Sequence, residues 1–117
     1  MSGLFEMEQF EHSSRVTVLR PRGHLDARSA GQLTARAAAV RAAGRHLVLN
    51  LSGVEFIASS GVGALLALVE EFRRSPASVR LCDLSPTVSS VIQLLNLDPF
   101  LPQDDDESTS CGALEAA

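Results

Sequence analysis

The chain has 117 residues, 45% of them apolar, and a net charge of −4. That length suits one domain with its own core, and no run approaches the ~20 apolar residues that span a bilayer. The run Asp104-Asp105-Asp106-Glu107 carries −4 by itself, so the rest is formally neutral, with no interleaved aromatic and basic pattern to make a nucleic-acid surface.

The segment Met1 to Phe10 is acidic and lacks the basic-then-apolar order of a signal peptide, so a cytoplasmic protein is expected. Phe5 and Met7 alternate with Glu6 and Glu8, the pattern of an edge strand with one wet face. A polar turn, Glu11 to Ser14, leads to a second strand, Arg15 to Arg20, and the two read as a hairpin that Pro21 ends. A helix follows from Ala27 to Ala43, with Leu33, Ala37 and Val40 as its apolar stripe and Gly44 as its stop. Either Asp26 or Ser29 can cap it, since their side-chain oxygens accept from free N–H groups.

His46 to Leu51 is nearly all apolar, as a central strand covered on both faces should be. A second helix is expected from Ser60 to Arg74, burying Val62, Leu65, Leu66, Val69 and Phe72 at helical spacing. Its other side then carries Gly61, Ala64 and Leu68, with Gly63 nearby, where small residues let a partner backbone approach. Val79 to Leu84 is a further strand. Ser85-Pro86 opens a third helix with Val88, Val91, Ile92 and Leu95 inward. Phe100-Leu101 reads as a short last strand, and Ser108 to Ala117 as a weak final helix preceded by a solvated acidic loop. Strands alternating with helices give an α/β domain: a mixed sheet of four to five strands covered by three to four helices.

The run Phe56-Ile57-Ala58-Ser59-Ser60-Gly61-Val62-Gly63 holds the most chemical information. It sets two serines where a helix begins, in a stretch of little side-chain bulk. Such a hydroxyl is a helix cap, a phosphorylation site, or both. Gly61-Val62-Gly63 lacks the third glycine of a dinucleotide fingerprint, and a chain without lysine has no P-loop. Gly-x-Ser-x-Gly is absent and no histidine is spaced to activate Ser59, so no enzyme activity is expected. His12, His24 and His46 stand apart from any ligand cluster, so no metal or cofactor is expected either. Cys82 reads as a buried inert thiol, and Cys111 lies near the C-terminal end.

Four segments together resemble the STAS domain, and within it the bacterial anti-sigma factor antagonists. They are Gly23-His24-Leu25-Asp26, Leu49-Asn50-Leu51-Ser52-Gly53-Val54, Phe56-Ile57-Ala58-Ser59-Ser60-Gly61 and Leu84-Ser85-Pro86. The resemblance covers nearly the whole chain, 1–117, as a single domain. It implies a protein that binds an anti-sigma factor serine kinase and is released when that kinase phosphorylates Ser59, a serine phosphatase reversing the change. Ser60 is the acceptor's neighbour, and Asp26 matches an acidic residue near the site. Asp26, Ser59, Ser60, Gly61, Gly63, Ala64 and Leu68 are the partner-binding residues expected on this reading. One position departs: Ala58 stands where the family often has Asp, which removes a local negative charge. A monomer or weak dimer is expected of such a switch. The other roles of the family are a subunit of a stress-sensing assembly and an accessory subunit of a lipid or anion transporter. Transporter subunits often carry Thr near the switch position, where this chain has Ser59-Ser60. Nucleotide binding by the domain itself is a further reading, open to titration.

Overall fold

The computed structural model describes residues 4–117; the first three residues of the segment read above for a signal peptide lie outside the described residues. The order of elements is β1 (Phe5–Glu11), β2 (Val16–Leu25), α1 (Ala27–Ala42), β3 (His46–Asn50), β4 (Gly53–Ile57), α2 (Ser59–Arg73), β5 (Val79–Cys82), α3 (Pro86–Leu94), β6 (Gln103–Asp104) and α4 (Glu107–Glu115). The sheet runs β1-β2-β3-β5-β6, with β4 also on β2. Among the described residues, only the β1–β2 hairpin is antiparallel. The mixed α/β architecture read from the sequence is present, with two short strands, β4 and β6, that the pattern did not show.

Pro21 does not end β2. The strand continues to Leu25, and Pro21 pairs with Met7 of β1. On its other side β2 pairs with β3 as far as Leu19 and with β4 from Arg22. Pro21 therefore falls in the gap between two partners, where its missing N–H costs no ladder bond. β4 was hidden because it has no clean alternation: Val54 and Ile57 are buried, while Glu55 and Phe56 are exposed. Its register slips at Gly23/His24, and that bulge breaks the period of two.

The sheet's faces differ. On one, Leu19, Leu25, Leu47, Leu49 and Leu81 pack under α1, α2 and α3, which contribute Leu33, Leu65, Phe72 and Ile92. On the other, Val16, Val18, Val48 and Cys82 meet Cys111 and Leu114 of α4. Both thiols are buried and free, and burial pushes Cys82 up to about 12, in keeping with an inert core thiol.

Three further expectations need correction. Phe100-Leu101 is not a strand: Asp98–Phe100 forms a 3-10 turn, and the last strand is Gln103–Asp104. In α3, Val88 and Ile92 are buried, Val91 is half-buried and Leu95 is exposed, because the helix ends at Leu94. The acidic run is not simply solvated. Asp104 holds Arg80 and Ser110, Glu107 holds Arg20 and Asn50, and Asp106 caps α4 by accepting from the Thr109 N–H.

Candidate functional site

The four parallel strands β2, β4, β5 and β6 each feed a helix directly, so four helix N-termini open at one end of the sheet. Three have a side-chain cap. At α1, Asp26 accepts from the N–H groups of Arg28 and Ser29, at 3.1 and 3.2 Å, while the Asp26 N–H donates to Ser29 Oγ at 2.9 Å. The two candidate caps thus form one reciprocal capping box. The N–H of Ser29 holds the Asp26 carboxyl below its ordinary range, with the N–H of Arg28 helping. Ser85 caps α3 and Asp106 caps α4.

At α2 the N-cap residue is Ala58, which has no side chain to cap with. Ser59 and Ser60 are the first two helical residues, one step too late to cap, so the capping reading of these serines is overturned. The Ala58 N–H instead donates to Leu25 O at 2.9 Å and ties the helix start to the end of β2. Ser59 is exposed and Ser60 half-buried. Because Leu25 pairs with Ile57, Asp26 and Ala58 follow as neighbours at the ends of adjacent strands. One register step back, the rings of His24 and Phe56 meet at 5.4 Å, and Phe56 remains 47% exposed.

Gly61, Ala64 and Leu68 are not on a free face. All three are buried, and the buried stripe of α2 is Gly61, Ala64, Leu65, Leu68, Val69 and Phe72, with Val62 and Leu66 half-buried at its edge. The helix is turned toward its small residues because α1 lies along it, with Ala37 and Ala38 facing Leu68 across a narrow cleft. Gly61 does permit a close backbone approach, but to this chain's own sheet: a Cβ there would lie 2.5 Å from Leu25 O and 2.9 Å from Ile57. A Cβ on Gly63 would meet nothing within 4 Å. The outward face of α2 is therefore Ser59, Gly63 and Ala67, one turn apart, flanked by Val62 and Leu66.

Of the seven expected partner-binding residues, the structure brings Asp26, Ser59, Ser60 and Gly63 to one surface and puts Gly61, Ala64 and Leu68 beneath it. Reading the sequence missed Phe56 and Ala67. Phe56 carried a signal, as a large apolar residue directly after Glu55 and outside any clean alternation. Chemically, the surface offers one exposed hydroxyl on an uncapped helix start, where N–H groups and the helix dipole favour an anion. Among the described residues, no three His, Cys, Asp or Glu are grouped to hold a metal ion. No helix among them is long and apolar enough to cross a membrane.

This fold and surface define a compact α/β module in which a serine-bearing helix start is presented at the carboxyl end of a mostly parallel sheet. The chain belongs to the STAS domain family, which matches residues 8–110. It is 27% identical to an anti-sigma F factor antagonist of Paenibacillus polymyxa over 92% of this chain and 93% of that one. It is 33% identical to an anti-sigma F factor antagonist of Lysinibacillus sphaericus, covering 80% and 82%. Among solved structures, an anti-sigma factor antagonist from Mycobacterium paratuberculosis superposes with a TM-score of 0.84 at 25% identity, over 98% of this chain and 99% of the other.

Proposed function

We propose that this protein is an anti-sigma factor antagonist, switched by phosphorylation of Ser59. The observation that carries the reading is the start of α2: an exposed serine at the one α-helix, of the four among the described residues, without a side-chain cap. The names of its relatives supply the class of partner, an anti-sigma factor. ATP-dependent phosphorylation by that partner fits a cytoplasmic protein.

The physical argument has two halves. In the free protein a phosphate on Ser59 adds −1.5 to −2 charges beside unused N–H donors and the positive end of the α2 dipole, so the fold accommodates it. Against a partner, the same group is a strongly hydrated dianion on the rim of a close contact made by Phe56, Gly63, Val62 and Leu66. Burying it there without a cation costs more than the contact returns. The switch is thus exclusion, with no refolding. Asp26 takes part by fixing the neighbouring helix start through its capping box, and its negative charge adds to the repulsion. Ala58 removes a carboxylate that would compete with the phosphate for the N–H groups of α2.

The test is intact-mass spectrometry after incubation with ATP and the anti-sigma kinase encoded nearest to this protein, with Ser59→Ala in parallel and a binding assay for each. One phosphate on the wild type, mapped to Ser59 and missing from the variant, is expected. Ser59→Glu should weaken partner binding at least about tenfold, ~1.4 kcal/mol. Phosphate at another residue, or equal binding by Ser59→Glu, would overturn the switch.

A further inference from the structure

Large apolar side chains left in water are few and unevenly placed. Among the described residues they are Leu4, Phe56, Leu94, Leu95 and Phe100. Phe56 belongs to the surface around Ser59. The last three lie together, at the end of α3 and in the 3-10 turn after it: Leu94 is 82% exposed, Leu95 52% and Phe100 56%. This stretch is held in place. The Asn96 N–H donates to Gln93 O at 3.1 Å and the Leu97 N–H to Ile92 O at 2.9 Å, while Asn96 at φ 55° supplies the left-handed turn that stops the helix. Ile92 and Leu101 are buried and Leu97 packs against the core, so the exposed residues sit between anchors. A single exposed leucine is ordinary, but three large apolar side chains on one anchored stretch present on the order of 300 Å² of apolar surface.

The charge pattern points to what covers this patch. The two longest uncharged runs of the chain are 56–69 and 84–97. The first carries the Ser59 surface. The second carries α3, the only α-helix among the described residues without a charged side chain. Its exposed polar positions are Thr87, Ser90, Gln93 and Asn96. Each of these side chains both donates and accepts, so each can bond to the same residue of a second copy. A two-fold contact sets a surface against itself, and any charge within it meets its own sign. The net charge is −4, and the other outward faces carry that penalty, with Glu6 and Glu8 on β1, Arg28 and Arg36 on α1, and Glu71 and Arg73 on α2. The α3 face is free of it.

We infer that this face is where two copies of the chain meet, as a two-fold pair built on the end of α3. Leu94, the most exposed of the three, lies at the centre. Leu95 and Phe100 complete the apolar part, and Ser90 and Gln93 bond across the axis at its rim. A stable interface buries about 800 Å² on each partner, and this patch with its polar rim supplies roughly half of that. The pair is therefore weak and forms at high concentration. It needs no phosphate and no second protein.

The test is sedimentation equilibrium of the wild type from about 10 µM to about 1 mM, the span in which so small a contact associates, with Leu94→Arg beside it. The average mass of the wild type is expected to rise toward that of two chains, with a dissociation constant on the order of 100 µM. Leu94→Arg sets like charges against each other at the axis and should weaken association at least about tenfold. Because position 94 stands in water, the variant should melt at the wild-type temperature. In ¹⁵N spectra of the wild type, the amides that move with concentration should be those of residues 87–100. The mass of one chain throughout would overturn the pair and leave the face to a partner of another kind. Association undiminished by Leu94→Arg, or shifts centred on the start of α2, would overturn it equally.

Discussion

The two faces of the sheet are stabilised by different physics. The face under α1, α2 and α3 is closed mainly by large apolar side chains, all of them buried. The face under α4 has six buried residues with Phe10 packed against them, and much of the rest of its contact is polar. Arg20 bridges Glu8 and Glu107, Asn50 bridges Asp83 and Glu107, and Arg80 bridges to Asp104, which also accepts from Ser110. Apolar burial is non-directional and indifferent to pH, whereas each member of the polar set depends on its partners being present and charged. The helix start that carries Ser59 belongs to the apolar half, which gives the proposed switch a rigid base.

Adjacent residues of β3 make this contrast measurable. Leu49 faces the three helices and Val48 faces α4. Leu49→Ala should cost about 3–4 kcal/mol, for the lost burial plus a cavity that a close-packed core cannot fill. Val48→Ala should cost about 2 kcal/mol, having fewer atoms to lose. Urea denaturation at pH 7 gives both. A larger loss for Val48→Ala would break the comparison, by showing that the small cluster under α4 is the stiffer one.

The polar face should show itself in acid. Arg20 holds the Glu107 carboxyl below its ordinary range, with Asn50 helping, and Arg80 does the same for Asp104. Because both folded-state values are depressed, these groups bind fewer protons folded than unfolded. Their stabilisation is complete above the ordinary carboxylate range and is lost as pH falls through it, from about 4 downward. Glu107→Gln should cost about 1–2 kcal/mol at pH 7, allowing for the half-exposed Arg20, and should flatten the acid limb of stability against pH. Leu49→Ala should lower the whole curve and leave its slope unchanged. If Glu107→Gln left the acid slope unaltered, the carboxylates of this face would not be the titrating groups.

The same division explains what was legible in the sequence. The apolar half declares itself through period: Leu33-Ala37-Val40 and Leu65-Val69-Phe72 each recur at helical spacing, and Leu47 to Leu51 is a continuous apolar run. Capping is local too, so Asp26 with Ser29, and Ser85 with Pro86, were readable within three residues. The α4 face was not readable. Glu107 meets Arg20 across 87 residues and Asn50 across 57, and nothing local tells a paired carboxylate from a solvated one. The orientation of α2 failed for a different reason. Gly61 and Ala64 add little to an apolar period, yet small residues are what lets the helix lie close to the sheet. Smallness was therefore read as openness, and the free face was placed on the side that is buried.

That error can be turned into the finest test of the site. Gly61 and Gly63 are two residues apart on one helix and should respond to alanine with opposite signs. Gly61→Ala would put a methyl against Leu25 O and force α2 off the sheet, so stability falls. Gly63→Ala meets open space and replaces the poorest helix former but proline with the best, so stability should rise by about 0.5–1 kcal/mol. Partner binding should then separate from stability. The Gly63 methyl stands one turn from Ser59 on the outward face, so the more stable variant should bind the proposed anti-sigma factor partner less tightly. Thermal melts and a binding isotherm on the same two proteins decide it. Undiminished binding by Gly63→Ala would move the contact surface off this face of α2 and leave Phe56 and the helix start to carry it.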